Sequence, residues 1–382
     1  VLAAYNCALI ADMFGDAPCS QAALVDENGS PVYLTPKMDK QEEIYTQAMQ
    51  YLDDAIADLQ KEDLIDPGAQ DLLYQGDAEK WLKLAYGLKA RYTMHLLKRS
   101  ANKDADMEKV LEYVDNSFES AEEQAAFDVY DANNINPLYG FFVARAGLGA
   151  SESMRSKLAE YNDPRLSRAF ITKQGASGKE QAPGTADNAV YAPNGSPEQG
   201  TSKYGTSLFM YSISAPTLLL SYHELKFLEA EALCRLGRDA KSALKDAVVA
   251  GLLNAENSFS VSRKELGKTL INPASSITDT EAESYFDNTI EAKYTAEPLK
   301  TTMIQKYFAL WGASGEATES YNDVRRMKGL GENFIELKNP NSFPLRCPYG
   351  NSDTTTNAEV KAAYGNGQYV YSENVWWAGG SR

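Results

Sequence analysis

The side chains with the clearest chemical potential in this sequence are aromatic rings that lie among amide and charged groups. Two segments, 131–216 and 328–382, combine these residue types and are irregular, and the first is rich in Gly, Pro, Asn and Ser. A sugar ring has apolar C–H faces that can stack on Tyr or Trp, and hydroxyl groups that need amide, carboxylate or guanidinium partners. The two segments therefore predict a shallow saccharide-binding surface.

Within these segments we rank individual aromatic residues by the polar groups beside them. Asn188, Asn194, Gln199 and Lys203 lie close in sequence to the tyrosines of the first segment and could bind sugar hydroxyls. The predicted ligand-binding residues are Tyr191, Tyr204, Tyr211, Asn188, Asn194, Trp376 and Trp377. The two tryptophans rank lower, because a tryptophan pair near a chain end often pins that end to the core. For each of these rings, packing of a loop onto the core is the alternative.

Residues that could support catalysis are few. His95 and His223 both fall within predicted helices, and neither has a histidine or cysteine partner at the spacing of a metal site. The sequence also lacks a nucleophile elbow, an HExxH motif and a phosphate-binding loop. We therefore predict that the protein is not an enzyme and needs no metal or cofactor.

One acidic cluster leaves a hydrolase open as an alternative. Glu224, Glu229 and Glu231 lie close together on one predicted helix, where a solvated or ion-paired face is the expected role. Glycoside hydrolysis uses a pair of carboxylates, and the many acidic residues of this chain could supply one. A carboxylate-pair glycoside hydrolase is therefore a less favoured function.

The net charge of −16 over 382 residues limits the partners of this chain. A polyanion such as DNA or RNA would be repelled, so we predict no nucleic-acid partner. No run of about 18 apolar residues predicts a transmembrane helix. The four cysteines, Cys7, Cys19, Cys234 and Cys347, form no CxxC pair, and a Cys7–Cys19 disulfide stays open.

Apolar residues at helical spacing behind capping residues predict an all-α fold. Asp39, Asp77, Asp239 and Thr278 are the expected N-caps, and Gly237 supplies a helix stop. The predicted helices cover about 39–60, 77–98, 104–119, 151–161, 218–236, 240–254, 278–295, 301–311 and 316–327. Neighbouring helices with short connections pack as antiparallel pairs, so we predict tetratricopeptide-like pairs, although no strict 34-residue repeat is found.

We predict a single domain with two kinds of region. A helical scaffold covers about 1–130 and 217–327, and loop-rich binding regions cover about 131–216 and 328–382. Long irregular segments in a helical protein are usually functional or mobile, which is why we place binding there. The first ten residues already have a helical pattern. We therefore expect an N-terminal part of the protein to precede this chain.

Four stretches of the sequence stand in a characteristic order and spacing. They are Phe14–Pro18, Gly76–Arg91, Ser221–Gly237 and Ile304–Arg326. Together they resemble the SusD/RagB family, the surface nutrient-binding lipoproteins of Bacteroidetes. The resemblance covers nearly the whole chain, and the Asp163-Pro-Arg165 turn also fits it.

Two departures from the family pattern lie near the end of the chain. Pro348-Tyr349-Gly350 stands where the family usually has Tyr-Pro, and Asp353-Thr-Thr-Thr356 replaces the usual Glu. The matching motifs belong to the framework. The ligand-binding residues of the family are not held in a shared motif, so none of them is transferred to this chain.

The resemblance implies an all-α, SusD-like protein at the cell surface, held in the outer membrane by an N-terminal lipid anchor outside this chain. It implies a glycan ligand that is bound, left intact and passed to a TonB-dependent, SusC-like transporter as partner. A protein of the same architecture that binds peptides or another nutrient is the alternative. A cytosolic helical-repeat scaffold is a less favoured one.

Overall fold

The computed structural model describes residues 1–62, 65–145, 148–174, 180–184, 189–195, 200, 203–312 and 315–382. Over these residues the chain is mostly helical, which confirms the predicted all-α class. None of the helices in the described ranges is both long enough and apolar enough to cross a lipid bilayer.

The helices fall into four groups along the chain. The first scaffold helices are α1 Leu2–Phe14, α2 Gln41–Leu59, α3 Ala78–His95 and α4 Lys103–Asp115. Three short helices follow, α5 Pro137–Arg145, α6 Glu152–Glu160 and α7 Leu166–Ala169. The second scaffold helices are α8 Tyr222–Arg235, α9 Lys241–Leu266, α10 Asp279–Tyr285, α11 Glu291–Ala296, α12 Pro298–Ala309 and α13 Thr318–Leu330. The last group is α14 Asn351–Thr356 and α15 Ala358–Tyr364.

Short strands interrupt this helical chain. They are β1 Ala125–Phe127, β2 Phe170–Gln174, β3 Glu180–Pro183, β4 Thr206–Ser207 and β5 Thr217–Leu220. β1 pairs with β5, and β2 lies between β3 and β4 in an antiparallel sheet. That sheet lies within 131–216, so part of the segment that the sequence marks as irregular has regular structure.

Two of the four expected N-caps, Asp77 and Thr278, cap their helices, whereas Asp39 and Asp239 do not. Asp77 accepts hydrogen bonds from two backbone amides of α3, and Ser221 and Thr278 cap α8 and α10 in the same manner. Asp39 does not cap α2, because its carboxylate accepts the backbone amides of Cys19 and Ser20 instead. The predicted helix 240–254 is too short, since α9 extends to residue 266. The predicted helix 278–295 contains a π-helical turn at 286–290 between α10 and α11.

The scaffold helices pack in neighbouring pairs, α1 on α2, α3 on α4 and α8 on α9, and α4 and α8 join the two scaffold regions. Gly87 of α3 allows one close approach. A Cβ at this position would lie 2.4 Å from Leu220 and 2.7 Å from the Ser117 hydroxyl. A larger residue at this position would have to displace the Leu220 and Ser117 side chains where α3 crosses β5.

Buried ion pairs join the helices that carry the family-like motifs. Arg91 of α3 donates two hydrogen bonds to Glu224 of α8, at 2.8 and 2.5 Å. Arg326 of α13 donates two to Glu231 of α8, at 2.5 and 2.7 Å. All four side chains are at most 2% exposed. Since buried charges need partners, α3, α8 and α13 must meet at these positions.

The first motif is held by the C-terminal segment. Gly15 has a φ of +79°, which lets the chain turn sharply at the end of α1. Asp16 then accepts the Gln41 backbone amide at 2.9 Å and the Lys40 ammonium at 2.8 Å. The hydroxyl of Tyr364, on α15, also donates to Asp16. This turn therefore joins α1, α2 and the end of the chain.

His95 forms a second buried charge centre. Its Nε2 lies 2.8 Å from Glu319, and its Nδ1 lies 3.5 Å from Asp12. Burial by itself lowers the pKa of this imidazole, but the carboxylates of Glu319 and Asp12 outweigh it and raise the pKa to about 9. His95 is therefore a histidinium at neutral pH.

We predict that removal of one buried charge is costly whereas removal of an exposed one is not. Arg91→Met leaves Glu224 buried without its partner, which should lower the free energy of unfolding by about 3–5 kcal/mol. Arg238→Met is the matched control, because Arg238 pairs with Glu108 at the surface, where such pairs contribute about 0–1 kcal/mol. Urea denaturation measures both. Similar losses in the two variants would contradict the importance of the buried pair.

We also predict that His95 makes the protein less stable at alkaline pH. The folded pKa of His95 is about 9, above the usual value of 6.5. The charged imidazole therefore stabilises the folded state fully below pH 6.5, and this stabilisation is lost as the pH rises through 9. The free energy of unfolding should fall by about 1–3 kcal/mol between pH 7 and 9.5. His95→Gln, which carries no charge at any pH, should show a shallower slope. Parallel pH profiles for the two proteins would rule out a histidinium.

Candidate functional site

The two loop-rich regions meet at a cleft of ≈ 330 Å³ between α6, α11 and α12. Residues 157–161 come from the first region and 334–336 from the second. The aromatic and charged side chains in its wall are Tyr161, Tyr307, Phe308, Phe334, Lys157, Lys293, Lys300, Glu160, Glu297 and Glu336. The cleft therefore combines aromatic rings with both donors and acceptors.

The aromatic wall of the cleft has a defined geometry. Tyr161 packs edge-on against Phe308, with ring centroids 5.3 Å apart. The ammonium of Lys293 lies 4.5 Å from the centroid of the Tyr161 ring. Burial raises the pKa of both Tyr161 and Tyr307, so their hydroxyls stay protonated at neutral pH and can donate hydrogen bonds.

The Asp163-Pro-Arg165 turn fixes this wall. Arg165 pairs with Asp163 through Nη2 at 2.6 Å and through Nε at 2.9 Å, and its Nη1 donates to the Phe308 carbonyl at 2.7 Å. Both charged side chains are 2% exposed. The turn thus ties the end of α6, where Tyr161 lies, to the end of α12.

The charged groups of the cleft are balanced in number, with three lysines and three glutamates. Lys300 pairs with Glu297 at 2.8 Å, and Glu336 pairs with Lys338 outside the cleft wall. Lys157 donates to the Ser153 hydroxyl at 2.8 Å, and burial lowers the pKa of its ammonium. A cleft with this balance suits a ligand that is neutral overall and rich in polar groups.

Three of the sequence-predicted aromatic residues lie in the core. Tyr191 is 3% exposed and packs on Phe170, and the Arg155 guanidinium lies 5.5 Å from its ring centroid. Tyr204 is buried as well. Trp377 is wholly buried, stacks on His95 and donates its indole N–H to Asp12 at 2.9 Å.

We predicted that Tyr191, Tyr204 and Trp377 face a ligand, but the structure buries all three rings. Loop segments fold back onto the helices, because an exposed ring loses the free energy of apolar burial. Tyr191, Tyr204 and Trp377 therefore have no open ring face on which a sugar could stack.

The other predicted residues differ in accessibility. Tyr211 is half-buried, and its ring packs edge-on against Phe142. Asn194 links the two loop-rich regions, since it accepts from the Ser151 hydroxyl at 2.8 Å and donates to Asn339 at 2.9 Å. Asn188 lies outside the described residues, and so does Gln199, which was named with it among the polar groups near the tyrosines.

Trp376 lines a different groove, of ≈ 530 Å³, beside α2 and the end of α3. The ring is half-buried, and the Arg99 guanidinium lies 5.0 Å from its centroid. Gln50, Ser100 and Asp106 are among the polar side chains of this groove. The structure therefore separates Trp376 from the cleft where the loop regions meet.

Sequence reasoning missed the aromatic residues of the cleft. Tyr161 ends a short helix just before the Asp-Pro-Arg turn, and Tyr307 lies in a helix whose pattern indicates core packing. The position of Tyr161 beside that turn was the one available signal. Only the fold places Tyr161, at the end of α6, against Phe308 of α12, so that Tyr161 and Tyr307 line one cleft.

The acidic cluster of α8 is ion-paired and sealed from solvent. Glu224 pairs with Arg91, and Glu231 pairs with Arg326 and Arg235, while Glu229 pairs with Lys226 near the surface. Glu224 and Glu231 are both 0% exposed. No sugar can reach these two carboxylates in this arrangement.

The group Asp12, His95 and Glu319 has side chains of the types that bind metal ions, with donor atoms within 4.8 Å of one another. These atoms already bond to each other and to Tyr45 and Trp377. A histidinium has no free lone pair for a metal. The raised pKa of His95 therefore favours an ion-paired cluster there.

Comparison with known proteins places the chain in a family. A family model described as starch-binding and associating with the outer membrane matches residues 1–349. The structure of a SusD/RagB family protein from Bacteroides thetaiotaomicron is 67% identical, with a TM-score of 0.93 over 99% of this chain and 79% of that one. The chain belongs to the SusD/RagB family of proteins that associate with the outer membrane.

More distant structures share the fold alone. A SusD homologue from Bacteroides fragilis is 20% identical, with a TM-score of 0.74 over 99% of this chain and 82% of that one. A chitin-binding protein is 21% identical, with a TM-score of 0.71 over 98% of this chain and 80% of that one. No curated protein sequence matched this chain.

We expect the Asp-Pro-Arg turn to control the shape of the cleft. Arg165→Met removes the link between Asp163 and the Phe308 carbonyl and leaves a buried carboxylate unpaired, so the free energy of unfolding should fall by about 3–5 kcal/mol. In the folded fraction, near-ultraviolet circular dichroism of the tyrosines should change. Arg238→Met, which alters an exposed arginine that does not line the cleft, is the control. An unaltered stability in Arg165→Met would contradict this role.

Proposed function

We propose that this protein binds an oligosaccharide at the cell surface without cleaving it and delivers it to a SusC-like, TonB-dependent transporter of the outer membrane. Membership of a starch-binding, outer-membrane-associated family supports the ligand class and the location. The observation that carries the proposal is the aromatic cleft at which both loop-rich regions meet. An N-terminal lipid anchor is part of the same proposal.

The chemistry of the cleft fits a saccharide. Tyr161, Tyr307 and Phe334 offer rings against which a pyranose face can pack. The lysine ammonium and glutamate carboxylate groups around them can donate to and accept from hydroxyls. A cleft of ≈ 330 Å³ is suited to one or two sugar rings with the rest of the chain outside.

Binding without catalysis is supported by the state of the carboxylates. Glu224 and Glu231 are fully buried in ion pairs. Of the carboxylates at the cleft, Glu297 and Glu336 are paired with lysines, whereas a glycosidase acid needs a raised pKa. The salt-bridge partner of Glu336 instead lowers the pKa of its carboxyl group.

The mixed charge of the cleft is also compatible with a peptide ligand, which is the alternative function. A peptide backbone offers donors and acceptors, and its termini could meet Lys293 and Glu160. The two ligand classes are separated by the choice of probes in the binding experiment.

The binding experiment uses calorimetric titration with malto-oligosaccharides, chito-oligosaccharides and a tryptic digest of casein. We expect a saccharide to bind, and Tyr161→Ala and Tyr307→Ala each to weaken it several-fold, since an aromatic contact contributes about 0.5–1.5 kcal/mol beyond burial. Tyr371→Ala is the matched control, because Tyr371 is exposed and lies outside the cleft. Thermal melts confirm that each variant is folded.

Other outcomes relocate or overturn the proposal. Loss of binding in Trp376→Ala alone would place the site in the groove beside α2. Binding of casein peptides without any saccharide would establish the alternative ligand class. Steady release of reducing ends that disappears in Glu297→Gln would show that the protein is an enzyme.

A further inference from the structure

Two cysteines, Cys7 and Cys19, lie in direct contact. The Sγ atoms of Cys7 and Cys19 are 3.0 Å apart, and both side chains are half-buried. Cys7 lies on α1, and Cys19 lies in the segment that follows the Phe14–Pro18 motif. The sequence leaves a Cys7–Cys19 disulfide open, and the fold brings the two thiols together.

The backbone on each side of this contact is held in place. Ala4, Ala8 and Ala11 bury the neighbouring face of α1. The Cys19 amide donates to Asp39 at 2.9 Å, and Ala17 forms a backbone bridge with Asp39. The two sulfurs can therefore join without a large movement of the chain.

The pair is chemically suited to oxidation. The hydrogen bond that it shares with Cys19 lowers the pKa of Cys7 to about 7, although burial and Asp39 act against it. The same hydrogen bond, followed by burial, raises the pKa of Cys19. Cys7 is thus the attacking thiolate and Cys19 the resolving thiol near neutral pH.

We propose that Cys7 and Cys19 form a disulfide in the mature protein, with a periplasmic disulfide oxidant as the electron acceptor. The Cys7 thiolate attacks one sulfur of the oxidant disulfide and releases its other sulfur as a thiol. Cys19 then loses its proton, attacks Cys7 and releases the second oxidant thiol. Two protein thiols are oxidised and one oxidant disulfide is reduced, which balances two electrons and two protons.

This modification rests on the association of the family with the outer membrane, not on the proposed ligand. Proteins that reach that location pass through an oxidising compartment, where paired thiols form stable disulfides. Within the described parts of the chain, no third metal-binding side chain completes a site around Cys7 and Cys19. A metal-bound thiol pair is therefore less favoured than a disulfide.

The bond would lock the turn that receives the end of the chain. The ring closed by Cys7 and Cys19 contains Phe14, whose carbonyl accepts the hydroxyl of Tyr349 at 3.1 Å. It also contains Asp16, whose carboxylate accepts the hydroxyl of Tyr364. The disulfide thus secures the docking point of the C-terminal helices.

The test measures the mass of one peptide after treatment with oxidised glutathione. Trypsin cuts nowhere between Val1 and Lys37, so both cysteines fall in a single fragment. We expect this fragment to be lighter by two hydrogen atoms, and Cys234 and Cys347 to remain open to iodoacetamide. Cleavage before Asp12 and Asp16 should then leave the piece with Cys7 and the piece with Cys19 joined until they are reduced.

A stability measurement gives an independent readout. Dithiothreitol should lower the thermal midpoint of the wild type by a few degrees. It should leave Cys7→Ser unchanged, whereas Cys234→Ser should respond like the wild type. Alkylation of all four cysteines after the oxidant, or a disulfide that pairs Cys7 with Cys347, would overturn the proposal. The mass readout needs no variant, and ligand binding does not enter it.

Discussion

Buried ion pairs between distant parts of the chain are the interaction on which the rest of this structure depends. Arg91 meets Glu224 and Arg326 meets Glu231, and all four charges are shielded from water. A buried charge without its partner costs several kcal/mol, so helices α3, α8 and α13 have one relative arrangement that satisfies all of them. Three of the four family-like motifs are therefore partners in these buried pairs, which gives a physical reason for their presence in the same chain.

This arrangement extends from the scaffold to the candidate cleft. Arg165 links its own turn to the Phe308 carbonyl near the end of α12, and so the wall that carries Tyr161 is continuous with the helical core. The cleft is closed on its other side by 334–336, which follow the α13 helix that Arg326 holds. A rigid framework with binding groups on short connecting segments is a common way to present a ligand site.

The aromatic residues show where local sequence ceases to be informative. Tyr191 and Trp377 stand in polar, irregular segments, yet both rings are buried. Burial of an aromatic ring is more favourable in free energy than its exposure to water. Tyr307 stands in a scaffold helix whose pattern suggests core packing, yet it lines the cleft together with Tyr161 of the first loop-rich region. Composition shows which regions contain aromatic side chains. Whether each ring faces the core or the cleft depends on how its segment folds back onto the helices.

The all-α class, most helix positions and the family follow from the sequence, because helical spacing, capping residues such as Asp77 and Thr278, and motif order can be read along the chain. The sequence also marked the two loop-rich regions that meet at the cleft. The pairing of the charges, the contact between Cys7 and Cys19, and the set of rings that line the cleft are visible only in the folded protein. These features depend on contacts between residues far apart in the chain, and a one-dimensional pattern carries no distance between such residues.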